Sequence, residues 1–225
     1  MNTTKDEFLT RVRAAQRVAM TGGQWTPAQA AHTQAAHAYA PYPLPELPRF
    51  ATPHGDRLAR FCANLTTMGG EHVALDSATA LPAWLAERFP GVVLVSATPE
   101  ATSAAPLDLT RPPAHLHDVE VGIVRARYGV AETGSLWLSE AEYGVNALGY
   151  LVQHLVVLLD PAAIVDGLQD IYRLPDFHEA RYAVLVTGPS ATADIEGVLI
   201  QGAQGVRSLT VILTAANCRA AENSG

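Results

Sequence analysis

Lysine is almost missing from this sequence: of 15 lysines and arginines, only Lys5 is a lysine. The remainder of the chain therefore has no lysine to form a Schiff base or to reach a phosphate from a phosphate-binding loop. Cysteine is as scarce. Cys62 and Cys218 stand alone and far apart, so there is no disulfide framework and no CxxC spacing for a zinc site or an iron–sulfur cluster. A reducing compartment follows as the simplest expectation. Positive charge is in short supply overall: 22 acidic residues against 15 basic ones give a net charge of -7 and a pI near 5.5. That balance excludes the clustered cations that displace counterions from a nucleic acid. No apolar run approaches the roughly 18 residues of a membrane span. The opening MNTTKDEFLT also lacks the charged start and apolar run of a secretory signal. The expectation is a cytoplasmic protein without a membrane span.

What the chain does have is apolar content, 48% of 225 residues, enough to bury one large core without covalent staples. The pattern divides into an N-terminal arm (1–53) and an α/β domain (54–225). In the arm, Thr4-Lys5-Asp6-Glu7 fits a capping box, and Phe8, Val12, Ala15 and Ala19 recur at helical spacing. Pro41, Pro43, Pro45, Pro48 and Pro53 then predict a stiff extended connector. From Asp56 on, Leu58, Phe61, Cys62, Leu65 and Met68 form a helical stripe closed by Gly69-Gly70. A strand over 72–75, a helix over 79–88 and a β-branched strand over 92–96 follow. The Pro-, Ala- and Thr-rich stretch 98–118 reads as a mobile loop or a lid. Beyond it the pattern predicts strands at 119–124 and 135–138, a short helix near 145–151 and a strand at 154–159. A helix at 162–174, a strand at 182–187, a helix from about Thr192 and a strand at 208–213 complete the domain. This alternation predicts an open, largely parallel sheet with helices on both faces and ligands at the carboxyl ends of its strands.

Several residue groups can carry chemistry. In TGPSATADIE (187–196) a strand runs into Gly188-Pro189-Ser190 and a predicted helix start. Backbone amides and the Ser190 and Thr192 hydroxyls there can converge on an anion. Asp194 and Glu196 in a first helical turn would complement the helix dipole and repel that anion, so a merely well-capped helix is the other reading. Neither GxGxxG, GK[ST] nor GxSxG is present in this string. In GVAETGS (129–135), Glu132 sits among apolar residues; partial burial would make it a base or nucleophile, while a hairpin glutamate at the surface is the alternative. Arg125 and Arg127 alternate along one strand and can hold an anionic substrate or form a solvated pair. His115-x-His117-Asp118 offers two metal ligands without a third at a recognisable spacing, so no metal site is expected. His32 and His37 lie five apart, the wrong interval for one helix face, and His154 reads as a core histidine at a strand's amino end.

Taken in order, VGIVRARYGVAETGSLWL (121–138), QHLVVLL (153–159), TGPSATADIE (187–196) and QGAQGVRSLTVIL (201–213) resemble the LUD domain of the lactate utilization protein C family. The resemblance covers about the last 110 residues, and the ordered pair AETG and GPSxTADIE is its specific part. It implies a fold similar to the glucosamine-phosphate isomerase, ribose-phosphate isomerase and CoA transferase superfamily, an open α/β sheet. It implies further a cytoplasmic component of a three-protein system oxidising L-lactate to pyruvate, whose companion subunits carry the iron–sulfur clusters. The chain itself would hold no cofactor. It would scaffold those partners or bind lactate or pyruvate. Carried over position by position, Glu132 becomes the candidate catalytic residue, with Thr133, Gly134, Gly188, Pro189, Ser190, Thr192, Asp194 and Glu196 as ligand-binding residues. The sequence departs from the family at three places: Ala191 stands for a common arginine, and Gln204 and Val206 for the histidine and proline of an HGP string. Losing the guanidinium removes a bidentate anion clamp and losing the histidine removes an acid or base, so an altered activity is expected.

Three functions remain distinct at this point. One is the lactate-utilization subunit that needs partners to turn over. The second is a stand-alone isomerase or CoA-transferase-like enzyme with Glu132 as base or acyl acceptor. The third is a non-catalytic module that binds a small anion.

Overall fold

A computed structural model describes residues 56–194, 196–202 and 204–214, together with Glu7, Leu9, Thr10 and Arg13, which are helical. The chain divides into two units, Met1–Leu47 and Pro48–Gly225, and the architecture below is that of the second. Thr4, Lys5 and Asp6 of the predicted capping box, the proline connector, His32, His37 and Cys218 lie outside the described residues.

Helix α1 (Arg57–Thr67) forms because Asp56 caps it, its carboxylate accepting the Leu58 and Ala59 amides, and because Phe61 and Leu65 give it one fully buried face. Gly69, at φ +83°, ends it in a left-handed turn. Then come β1 (Glu71–Ala74), α2 (Leu81–Arg88), β2 (Leu94–Ser96), β3 (Ala105–Pro106), β4 (Val121–Arg125), β5 (Tyr128–Val130) and β6 (Ser135–Ser139). The remaining elements are α3 (Glu140–Tyr143), α4 (Leu148–Leu151), β7 (His154–Leu159), β8 (Ile164–Val165), α5 (Leu168–Tyr172) and α6 (Pro175–Glu179). They are followed by β9 (Ala183–Val186), β10 (Ala191–Thr192), β11 (Ile200–Gln201) and β12 (Ser208–Leu213).

The central sheet has six strands in the order β1-β12-β7-β4-β2-β3, all paired parallel. Successive side chains of its buried strands alternate between two apolar layers. Val121 and Ile123 of β4, with Val156 and Leu158 of β7, pack against Leu81 and Leu85 of α2. Val124 and the other β7 residues Leu155, Val157 and Leu159 pack on Phe61 and Leu65 of α1 and on Leu148 of α4. The expected α/β architecture, a largely parallel sheet with helices on both faces, is therefore present. His154 opens β7 as expected, with Nδ1 2.8 Å from the Ser208 hydroxyl and its ring against Phe89. Among the described residues no helix is long and apolar enough to cross a membrane.

The structure corrects the pattern in two places. The predicted helix over 162–174 is instead a 3-10 turn at Pro161–Ala163, strand β8, and then α5 starting after Gly167. β8 pairs with β5 and belongs to a second sheet, β8-β5-β6-β9, which is mostly antiparallel and absent from the sequence reading. The helix expected from Thr192 does not form either: β10 and β11 pair as an antiparallel ribbon, Ala191 opposite Gln201 and Thr192 opposite Ile200. The stretch 98–118 contributes edge strand β3 and a 3-10 turn at Pro113–Asp118.

Candidate functional site

The AETG turn lies between β5 and β6, and its backbone is held by α1. The Asn64 amide nitrogen donates to the carbonyls of Ala131 at 2.8 Å and Glu132 at 2.9 Å. Gly134 (φ +69°) lies so close to α1 that a Cβ there would sit 2.2 Å from the Leu65 nitrogen. Gly188 (φ +69°) makes the same kind of approach from β9, where a Cβ would sit 2.1 Å from the Met68 carbonyl oxygen. Only glycine is compatible with both the backbone sign and the contact. Between the two turns runs a chain of hydroxyls: Thr133 Oγ1 is 2.7 Å from Ser135 Oγ, which bonds Thr187 Oγ1 in turn. The two family-like strings thus meet on one flank of α1.

Ser190 is committed to the loop before β12. Its amide donates to the Val206 carbonyl at 2.9 Å and its hydroxyl to the Gln204 carbonyl at 3.0 Å, while its own carbonyl accepts Gly202 N–H at 2.7 Å. Pro189 is buried, and Val206 joins the core. Thr192 ends the first strand of the ribbon, and Asp194 and Glu196 are exposed near its tip, Glu196 at φ +55°. With a ribbon in place of a helix, no helix N-terminus exists here to cradle an anion or to be capped by these acids. The tip carries exposed Val198 and Leu199. Glu132 is exposed rather than enclosed by its apolar neighbours. Its Oε2 accepts the Leu168 amide at 3.0 Å at the start of α5. Beside it, Asp166 is gripped by Arg57 (Nε to Oδ1 3.1 Å, Nη2 to Oδ2 2.9 Å) and by Arg60 (Nη2 to Oδ1 3.2 Å). Sequence reasoning missed these two arginines, although their i, i+3 spacing on α1 was visible.

A second region lies at the carboxyl ends of β2, β4 and β7, where parallel α/β sheets usually bind ligands. A cleft of about 430 Å³ there is lined by Ala97, Thr98, Arg125, Arg127, Glu142 and Asp160, among others. A neighbouring cavity of about 400 Å³ shares Ala97, Thr98 and Ala141 with it and extends under the 98–109 loop. That loop, expected as a mobile loop or lid, forms one wall. Arg127, just past β4, is engaged: Nε donates to Glu142 at 3.0 Å, Nη1 bonds Asp176, and Tyr128 donates to the same Asp176 at 2.6 Å. The Tyr128 hydroxyl, and then Arg127, hold the Asp176 carboxyl below its ordinary range against slight burial.

Arg125 is in a different state. Its Nε donates to Glu100 Oε1 at 2.5 Å, with the two side chains 19% and 12% exposed. Burial pushes the Glu100 carboxyl up, but the Thr98 hydroxyl and the Arg125 charge outweigh it and leave the group below its usual range. Nη1 and Nη2 of Arg125 are buried with no hydrogen-bond partner among the described residues. Sequence reasoning singled out Arg125 but not Glu100 or Thr98, which reach it from a loop with no motif of its own. His115 and His117 each lie against a local carbonyl, Pro112 and Ala114. Among the described residues no group of three or more His, Cys, Asp or Glu side chains is arranged to hold a metal.

No curated protein matches this chain. A solved structure similar to it is the crystal structure of a DUF162 family protein from Deinococcus radiodurans, with a TM-score of 0.58 and 18% identity, covering 72% of this chain and 100% of that one. The likeness is one of fold. The family model of the LUD domain matches residues 113–214, the span from the 3-10 turn before β4 through the end of β12, which contains both the AETG and the TGPS strings and the arginine-lined end of β4.

Proposed function

We propose that this chain is a non-autonomous component of an L-lactate-oxidising assembly, of the lactate utilization protein C type, acting in the cytoplasm with iron–sulfur partner subunits. The observation that supports this reading is the match of residues 113–214 to the LUD domain, together with the meeting of its two strings on α1. The chemistry agrees with a divided labour. Oxidising a 2-hydroxy acid to a 2-oxo acid releases two electrons and two protons. The two cysteines of this sequence cannot supply a four-thiolate cluster to receive those electrons. The acceptor then resides in the partners, and this chain contributes a surface or a metabolite site. In this reading Glu132, Thr133, Gly134, Gly188, Pro189, Ser190, Thr192, Asp194 and Glu196 form the part that meets a partner or metabolite. Nothing specific favours an isomerase or CoA-transferase role for Glu132, whose Oε2 already accepts an amide.

The test is reconstitution with the two iron–sulfur subunits of such a system, read as L-lactate-dependent dye reduction. The complete set is expected to turn over, and the chain alone to be silent. Turnover by the isolated chain, or undiminished turnover when it is omitted, overturns the reading.

A further inference from the structure

We propose that the cleft at the carboxyl ends of β2, β4 and β7 binds a small monocarboxylate, with the Nη edge of Arg125 as its anchor. The proposal concerns the ligand's chemistry and holds whether or not the chain serves lactate oxidation.

It starts from an imbalance. A guanidinium stays charged at any physiological pH and carries five N–H donors in a planar fork. Arg125 commits one of them, at Nε, to Glu100. The four on Nη1 and Nη2 are withdrawn from solvent and unmatched among the described residues. Leaving charged donors buried without acceptors is costly, and such a group marks a place where a partner is missing. Neighbouring acids do not fill the role. Both Glu100 oxygens are engaged, by Arg125 and Thr98, and both Glu142 oxygens, by Arg127 and Ser139. Asp160 accepts the Ala162 amide at the turn after β7.

The shape and charge of the cleft select the ligand. A planar carboxylate matches the Nη1/Nη2 fork with two parallel hydrogen bonds. Ala97, Ala126, Ala141 and Ala163 give walls of methyl size, which leave room for a short carbon body beside the guanidinium. Three carboxylates, Glu100, Glu142 and Asp160, stand near two guanidiniums, both already ion-paired, Arg125 with Glu100 and Arg127 with Glu142. Among the described residues no lysine and no further arginine lines the cleft. A phosphate dianion is repelled by these carboxylates more strongly than a monoanion, and a monocarboxylate still meets the unmatched Nη donors of Arg125. The Arg125 side chain is 19% exposed and lines the cleft, and in this proposal the guanidinium turns to present its fork to the ligand.

Calorimetric titration with sodium pyruvate, sodium acetate and sodium phosphate tests this. Saturable binding of pyruvate and acetate, with phosphate weaker, is expected from the unaltered protein. Arg125→Lys keeps the charge but loses the fork, and should weaken carboxylate binding about tenfold or more. Ala141→Phe, at an exposed position on the wall shared by both cavities, should give a similar loss with the melting temperature unchanged, which covers the case of a misfolded Arg125 variant. Absence of saturable carboxylate binding, carboxylate affinity unchanged in Ala141→Phe, or phosphate binding tighter than acetate would each overturn the proposal. Failure here leaves the lactate-dependent dye reduction of the assembly to be judged separately.

Discussion

The junction on α1 and the cleft beyond β4 differ in how far their polar groups and their space are used. At the junction almost everything is spent: Asn64 binds two carbonyls, Ser190 bonds through its amide, carbonyl and hydroxyl, and Gly134 and Gly188 touch α1 backbone with no room for a side chain. The cleft has empty volume and a guanidinium with an unmatched edge. Residues that make a family-like string stand out are therefore also residues that fasten the second sheet to a helix. A motif can be specific because packing demands it, and free hydrogen-bonding capacity is a separate signal.

The largest effect is expected where the junction is tightest. Gly188→Val combines a left-handed backbone with a Cβ that would lie 2.1 Å from a carbonyl oxygen. It should cost about 3 kcal/mol or more, read as a lower urea midpoint. A loss below about 1 kcal/mol would mean that the junction yields easily and that the contrast with the cleft is false. Next comes Glu100→Gln, which leaves the Arg125 guanidinium without its counter-charge and should cost about 2 kcal/mol. The same variant has a pH signature. In the folded protein the Glu100 carboxyl is held below its ordinary range, so its contribution is complete above the range in which an unfolded glutamate titrates. That contribution disappears as pH falls through the lowered folded value. Acid unfolding curves of the unaltered protein should therefore be steeper in that window than those of Glu100→Gln, and parallel curves would remove Glu100 from the account.

How much of this was legible depends on which interactions decide each segment. β7 and β12 are nearly continuous β-branched and leucine runs, and α1 has a cap, a stripe and a glycine stop; local sequence and tertiary environment agree there, so the pattern suffices. In PAAIVDGLQDIYRL the apolar spacing fits a helix equally well. Gly167 and the pairing of Ile164 with Gly129 break it into strand and helix, and Arg57 and Arg60 hold Asp166 at the break. The string SATADIE misled for a related reason. Ser, Thr and Asp cap helices and also build turns, and Glu196 and Gly197, both at positive φ, decide for a turn. In the cleft, Arg125 was visible in the sequence, but its partner Glu100 is 25 residues away in an Ala/Pro-rich loop, and no local pattern joins them.

Smaller effects refine the comparison. Asn64→Ala removes both bonds from α1 to the AETG turn and should cost about 1.5 kcal/mol, since two carbonyls lose a donor and part of that loss is made good by water.

Glu132→Gln is expected to have the smallest consequence for stability and the most to say about the junction. The carboxylate is exposed and accepts the Leu168 amide at the start of α5, a bond the isosteric amide oxygen retains. Only the charge near the helix start is lost, a change of about 0.5 kcal/mol that should shrink further in high salt. A denaturation midpoint within that margin, together with lactate-dependent turnover of the reconstituted assembly that stays unchanged, assigns Glu132 to capping alone. The same small stability change accompanied by loss of turnover places its negative charge where a partner or metabolite meets this flank. A large loss of stability would instead show that the AETG turn depends on the ion itself, and the division between a packed junction and an unsatisfied cleft would have to be redrawn.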